Sequence, residues 1–161
     1  MPEEVVCNTT PVQYLHQAGL LDLLRELYGR VLVPGAVASE IAAGMEAGVP
    51  LPDLGSVSWI EIREVTESPW PTPRNIHRGE AEVIALAGTL PGSLMILDDL
   101  AARRYADLLG LRFTGTLGVL YKARQRGLVT ALRPVVDTLR ECGFRLAEST
   151  RNDFLKSVGE A

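Results

Sequence analysis

The chain has 161 residues, of which 47% are hydrophobic and 22% charged, a balance typical of one ordinary globular domain. No apolar run reaches the roughly 18 residues that a membrane-spanning helix needs. The net charge of −4 argues against a protein that coats DNA, because such proteins carry a basic surface. A nuclease stays open, since a bound metal ion reverses the local sign of an acidic pocket.

The start of the chain and its two cysteines indicate a cytoplasmic protein. Residues 1–8 are acidic and lack the basic segment that opens a secretory signal peptide. Cys7 and Cys142 do not have the spacing of metal ligands, and the apolar run around Cys7 predicts a small core residue. Because these features together are typical of a reducing compartment, we expect the cytoplasm.

Short apolar runs alternate with longer helical patterns, and this alternation predicts an α/β domain with a parallel sheet. In chain order, the first half contains a strand at 5–7, two helices separated by Gly19, a strand at 30–34, a helix at 36–45 and a strand at 59–65. Apolar and polar residues alternate in the last of these, which is typical of a half-buried or edge strand. Two loops rich in Gly and Pro, 46–57 and 66–78, are excursions within the same domain.

The second half of the chain continues the alternation. In chain order it contains a helix at 80–87, a strand at 94–97, a helix at 101–109, a strand at 111–114, and helices at 117–126, 134–141 and 153–158. The strand at 94–97 is entirely apolar and is the clearest buried strand. We therefore expect a single domain over 1–161, with a core over about 4–145 and a short helical tail.

Polar residues follow three of the predicted strands. Asn8 and Thr10 follow the first strand, Asp98 and Asp99 follow the fourth, and Thr116 follows the fifth. Because ligands of parallel sheets bind at the carboxyl ends of the strands, we expect these side chains on one rim. Adjacent carboxylates repel each other, and a hard cation such as Mg²⁺ or Mn²⁺ would compensate them.

Each acidic candidate also has a structural explanation. Asp98 or Asp99 can simply cap the helix that follows, at about even odds with a metal ligand. Glu80 and Glu82 suit the positive end of a helix dipole, and Glu40 suits a solvated position beside an apolar helix face. Asn8 and Thr10 can likewise be a plain helix cap. Arg103 and Arg104 belong either to a solvated helix face or to a phosphate-binding site.

Several stretches gain weight from their order: VCNTTP at 6–11, VPGAVASEI at 33–41, RGEAEVIALA at 78–87, and LDD, ARR, GL and TGTLG between 97 and 118. In this order and spacing they resemble the PIN-domain family, specifically the small prokaryotic PIN proteins related to VapC-type toxins. The resemblance covers about residues 4–145. No single stretch is diagnostic, whereas the ordered set is fairly specific.

The resemblance implies a PIN-like three-layer α/β/α sandwich with a central, mostly parallel sheet. It also implies an acidic cluster that binds one or two Mg²⁺ or Mn²⁺ ions and hydrolyses RNA with a metal-activated water. The main catalytic and metal-binding positions fall on Glu40, Glu80 and Asp98. Further metal ligands fall on Asp99 and Asn8, and auxiliary polar positions fall on Thr10, Glu82 and Thr116.

One position departs from the family pattern. The family usually has an aspartate after the first strand, and this chain has Asn8. An amide oxygen can bind a cation but brings no charge, so the exchange weakens metal affinity and puts catalysis in doubt.

These residues leave two main hypotheses. The first is a Mg²⁺- or Mn²⁺-dependent endoribonuclease. As the toxin of a toxin–antitoxin pair, it would be blocked by a small antitoxin with basic side chains and would be able to form a homodimer. The second is a non-catalytic PIN module that binds RNA or a protein partner. A receiver-like phosphotransfer domain is disfavoured, because position 8 is not acidic and the first lysine of the chain is Lys122.

Overall fold

The computed structural model describes Pro2 and residues 4–161. Met1 and Glu3, which contribute to the predicted acidic start, lie outside the described residues. The strands are β1 (Val5–Cys7), β2 (Val31–Pro34), β3 (Ile60–Arg63), β4 (Leu94–Ile96) and β5 (Arg112–Thr114). The helices are α1 (Thr9–Gln17), α2 (Asp22–Tyr28), α3 (Gly35–Glu46), α4 (Arg78–Gly88), α5 (Leu100–Leu108), α6 (Thr116–Gln125), α7 (Arg133–Glu141) and α8 (Glu148–Ser157).

The five strands form one sheet in the order β3-β2-β1-β4-β5, and every pairing is parallel. Helices cover the sheet, which confirms the predicted PIN-like α/β/α sandwich. β3, the strand in which apolar and polar residues alternate, lies at an edge of the sheet, as predicted. β1 is the central strand, and β4, which covers most of the apolar run at 94–97, lies beside it.

Helix boundaries follow glycines that leave the helical conformation. Gly19 has φ +73° and Gly29 has φ +77°, a region that residues with a Cβ avoid. They end α1 and α2, as the sequence predicted. The prediction for the tail was too short, because α8 begins at Glu148 and not near Asp153.

The core lies between the sheet and the helices. Cys7 is fully buried in it, as predicted, and burial followed by the charge of Asp98 raises the pKa of its thiol far above the ordinary value. α4 packs on β1, β2 and β4, and α6 packs against α1 and α2. The longest helix of the described residues, α3, has 12 residues, and none of these helices could serve as a membrane span.

Candidate functional site

The carboxyl ends of the strands open into a cleft of about 940 Å³. Its lining includes the predicted Asp98 and Asp99 behind β4, and Glu80 in the first turn of α4. Thr10 of α1 lines the same cleft. The parallel topology therefore brings together carboxylates that lie far apart in the sequence, as expected for a site at this rim.

Asp98 is held by the beginning of α6. Its Oδ1 accepts a hydrogen bond from the Thr116 backbone N–H at 2.9 Å, and its Oδ2 accepts one from the Thr116 hydroxyl at 2.6 Å. The Thr116 side chain is fully buried, so this anchor is fixed by the surrounding packing. The predicted polar residue behind β5 thus acts on the carboxylate behind β4.

Asp99 caps the following helix. Its Oδ2 accepts a hydrogen bond from the Ala102 N–H at 2.9 Å, and its backbone is extended, as at an N-cap. This settles which of the two aspartates caps α5. Asp99 also lines the cleft, and capping engages one of its two carboxylate oxygens.

Glu80 has a carboxylate whose negative charge its protein neighbours do not fully compensate. Its Oε2 is buried and accepts no hydrogen bond from the described residues. Burial raises the pKa of Glu80, and the negative charges of Asp99 and Glu40 raise it further, against the opposing effect of His77. The charged form of Glu80 therefore needs a positive partner that its protein neighbours do not supply.

Asn8, directly after β1, is also buried and has an unsatisfied hydrogen-bond acceptor. Only 4% of its surface is exposed, and its Oδ1 has no hydrogen-bond partner within the described part of the chain. A buried acceptor without a partner costs about 1–3 kcal/mol, so such atoms are rare. Asn8 Oδ1 and Glu80 Oε2 are hard oxygen donors of the kind that Mg²⁺ and Mn²⁺ prefer. In this respect the residues present fit a divalent cation.

Glu40 lies on the exposed side of α3 and contacts the site from its edge. Its Oε2 accepts a hydrogen bond from the Thr9 hydroxyl at 2.6 Å. Its Oε1 lies against Gly79, just before Glu80 in α4. Among the described residues, however, no three His, Cys, Asp or Glu side chains stand in a ready metal cluster. Ligation by Glu40, Glu80 and Asp98 together stays a prediction.

Glu82 is placed away from this rim. Its Oε1 accepts a hydrogen bond from the Ala36 N–H at 2.9 Å, and Arg78 lies 3.6 Å from its Oε2. It lines a separate cavity of about 450 Å³. The structure thus gives its carboxylate a different task from the expected auxiliary one, that of holding the start of α3.

Of the two predicted phosphate-binding arginines, only Arg103 lines the cleft. Its Nε donates to the Leu97 carbonyl at 2.6 Å, and its Nη2 lies 3.8 Å from Asp98 Oδ1. The guanidinium lies over the Phe113 ring, 5.3 Å from the centroid. Arg104 is exposed on α5 and is not part of the cleft lining.

Sequence reasoning missed several residues that shape the cleft. Gly115 lies under Arg103, and a Cβ there would stand 2.5 Å from Asp98 Oδ1. Gly115 belongs to the TGTLG segment that contributed to the resemblance, but the sequence did not show why a glycine is needed at this position. Tyr14, Phe144 and Arg145 also line the cleft, and no local pattern singled them out.

Comparisons with known proteins concern the family and the fold of the chain. The family model described as PIN domain, DUF3368, matches residues 4–160. Among solved structures, the chain is similar to a PilT N-terminus domain protein from the hyperthermophilic archaeon Sulfolobus solfataricus P2, with 15% identity and a TM-score of 0.50. That similarity covers 89% of this chain and 97% of the other, and at this identity it concerns the fold alone. A comparison with curated proteins found no match.

Proposed function

The chain belongs to the PIN-domain family, and from this premise we propose that it is a divalent-metal-dependent endoribonuclease. Family membership supports a nuclease-type module, while the cation, the RNA substrate and the internal cleavage belong to the proposal. The observation that carries it is two buried oxygens without hydrogen-bond partners among the described residues, Asn8 Oδ1 directly after β1 and Glu80 Oε2 of the cleft lining.

The residues of the rim would divide the work as follows. Glu80, Asp98 and Asn8 would hold Mg²⁺ or Mn²⁺, with Glu40 and Asp99 adding negative charge at the edge. When bound, the cation supplies a water of lowered pKa and neutralises charge on a phosphate. Thr116, Thr9 and Ala102 donate the hydrogen bonds that orient these carboxylates. Asp98, Glu40 and Asp99 are thereby preorganised for a cation.

Arg103 has a dual position in this proposal. It neutralises part of the charge of Asp98 from 3.8 Å, and it faces the cleft through which RNA would pass. A guanidinium binds phosphate oxygens in the same way as carboxylate oxygens. Arg103 would therefore bind the phosphate next to the site, at the cost of weakening cation binding by Asp98.

A non-catalytic module that binds RNA or a protein is the second candidate, and two observations favour it. Asn8 brings no negative charge where the family pattern has an aspartate. Asp98 is already compensated by Thr116 and Arg103. The proposal also extends to a VapC-type toxin, because basic side chains of a small antitoxin would complement the surplus negative charge around Glu80. Homodimerisation stays a prediction.

The deciding experiment measures cleavage of single-stranded RNA in Mn²⁺ or Mg²⁺ by wild type, Asp98→Asn and Asn8→Asp. We expect chelator-sensitive cleavage by wild type that Asp98→Asn abolishes. The matched control is Asp107→Asn, an exposed aspartate of α5 outside the cleft lining, which should cleave like wild type. A silent wild type with activity gained in Asn8→Asp would instead support the non-catalytic module. Folded variants that neither cleave RNA nor bind metal would contradict the acidic site itself.

A further inference from the structure

Two parts of the cleft lining differ in chemistry. The carboxylates of its lining, Glu80, Asp98 and Asp99, all lie at the strand ends. A second part of the lining, the aromatic end, is formed by Tyr14, one turn of α1 beyond Thr10, and by the segment between α7 and α8, which includes Phe144 and Arg145. Carboxylates and a group of aromatic and basic side chains therefore line the same space.

We propose that the aromatic end is a nucleobase subsite for single-stranded RNA, an inference that rests on the proposed function. An unstacked base would pack on Phe144 beside Tyr14, and Arg145 would bind a phosphate of the same strand. The acidic end would meanwhile receive the phosphodiester to be cleaved. The subsite would thus set which nucleotide stands at a fixed distance from the cleaved bond.

The aromatic pair has the geometry of a preformed platform. The rings of Tyr14 and Phe144 meet edge to face, with centroids 5.2 Å apart and planes at 71°. Both side chains are half-buried, so part of each ring borders the cleft. Beside them, Gly143 has φ +101°, a conformation that residues with a Cβ avoid, and it lines the cleft as well. Stacking on such rings is how proteins bind unpaired bases.

The segment that carries Phe144 and Arg145 is held at both ends. The Phe144 N–H donates to the Leu139 carbonyl at 2.9 Å, which fixes it to the end of α7. Ion pairs between α7 and α8 join Arg140 to Glu148 at 2.8 Å and Asp137 to Arg151 at 2.9 Å. A platform held in this way loses little freedom when a base packs on it.

The side chains of the cleft favour a single strand over other occupants. Arg103, which lies over Phe113, lines the same cleft as Arg145 and the aromatic pair, so cationic and aromatic side chains recur in its lining. Alternating stacking surfaces and phosphate-binding arginines are typical of single-strand binding. A duplex hides its base faces and could not use the platform. The cleft volume of about 940 Å³ lies at the upper end of the about 300–1,000 Å³ of small-ligand pockets.

The test measures binding of a fluorescently labelled single-stranded RNA in EDTA by anisotropy, so that hydrolysis does not interfere. Phe144→Leu keeps apolar packing but removes the aromatic ring, and we expect about tenfold weaker binding. Arg145→Ala should weaken binding and lower the salt dependence by about one ion. Tyr121→Ala and Arg25→Ala, on exposed parts of α6 and α2, are the matched controls and should bind like wild type.

A set of RNAs with one abasic position each separates base packing from a structural effect. At one position, base removal should weaken binding to wild type, whereas Phe144→Leu should bind both RNAs equally. Equal losses in wild type and Phe144→Leu at every position would overturn the subsite. So would a wild type that binds no RNA. Cleavage in Mn²⁺ is measured separately. RNA binding without cleavage would contradict the proposed nuclease and leave the subsite standing. Cleavage that is unaffected by Phe144→Leu and Arg145→Ala would contradict the subsite and leave the proposed nuclease standing.

Discussion

The carboxylate of Glu40 lies directly over Gly79, at the beginning of α4. A Cβ at position 79 would stand 2.5 Å from Glu40 Oε1, closer than van der Waals contact allows. Gly79 has an ordinary helical backbone, so it is needed here for close approach and not for an unusual φ. This contact lets α3 present Glu40 beside Glu80.

Gly79→Ala should therefore displace Glu40 without harming the fold. Alanine favours the helix by up to about 1 kcal/mol, and the Glu40 side chain can swing away. We expect unchanged or slightly higher stability in urea, with about tenfold weaker Mn²⁺ binding by calorimetry. The control is Gly55→Ala, where a Cβ would meet its nearest neighbour at an ordinary 3.5 Å. Unchanged Mn²⁺ affinity in Gly79→Ala would show that Glu40 takes no part in the site.

Thr116→Val should loosen Asp98. Valine has nearly the same shape but loses the hydroxyl that donates to Oδ2 at 2.6 Å. A hydrogen bond to a charged group contributes about 2 kcal/mol, so the free energy of unfolding should fall by about that amount. RNA cleavage should fall as well, because Asp98 is no longer oriented. Thr116→Ser keeps the hydroxyl and should retain cleavage, and a loss as large as that of valine would refute the orienting role.

Much of the site could be predicted because it depends on local pattern. The apolar run at 94–97 predicted a buried strand, and parallel strands place whatever follows them on one rim, which located Asp98, Asp99 and Asn8. The position of Glu82 outside the cleft lining has a reason that is also visible in the sequence. Residues two apart on a helix point to nearly opposite sides, so Glu80 and Glu82 do not share a face.

Other parts depend on contacts between distant segments and left no local signal. Gly79 faces a carboxylate 39 positions earlier, at Glu40, and Phe144 meets Tyr14 from the far end of the chain. Likewise, the sequence could not decide whether Asp98 or Asp99 caps α5, because both positions precede the helix closely enough. The position of Thr116 relative to Asp98 decides it, since α6 takes the first carboxylate and leaves the second to α5.

Glu80→Gln should stabilise the metal-free protein at neutral pH. Burial, with Asp99 and Glu40, raises the pKa of Glu80 above 4.5, so the folded protein holds a proton more readily than the unfolded chain. Its charge therefore destabilises the fold as pH rises above 4.5. In EDTA at pH 7 we expect the Tm of Glu80→Gln about 2–4 °C above wild type, and no gain at pH 4.

Mn²⁺ should reverse that order, because only the charged wild-type side chain gains from the cation. Thermal unfolding with EDTA or Mn²⁺ gives both comparisons. Glu26→Gln, an exposed glutamate of α2, is the matched control and should follow wild type in both. A Glu80→Gln protein that is less stable than wild type in EDTA would mean that Glu80 already has a partner in the metal-free protein.

Glu160 should make the stability of the C-terminal helices depend on pH in the opposite sense. Burial acts to raise the pKa of Glu160, but hydrogen bonds from the backbone N–H groups of Arg133 and Leu132 outweigh it and hold the pKa below 4.5. The carboxylate thus caps α7, and its contribution is present above pH 4.5 and lost as pH falls through the lowered pKa. Glu160→Gln should cost about 1 kcal/mol of unfolding free energy at pH 7, as a lost cap does. This loss of stability should shrink in acid, whereas Glu141→Gln, at an exposed glutamate of α7, should show no loss.

Hydrogen exchange should also speed up around Phe144 in Glu160→Gln, because Phe144 lies between α7 and α8. Exchange as slow as in wild type would show that the cap does not hold this wall of the cleft.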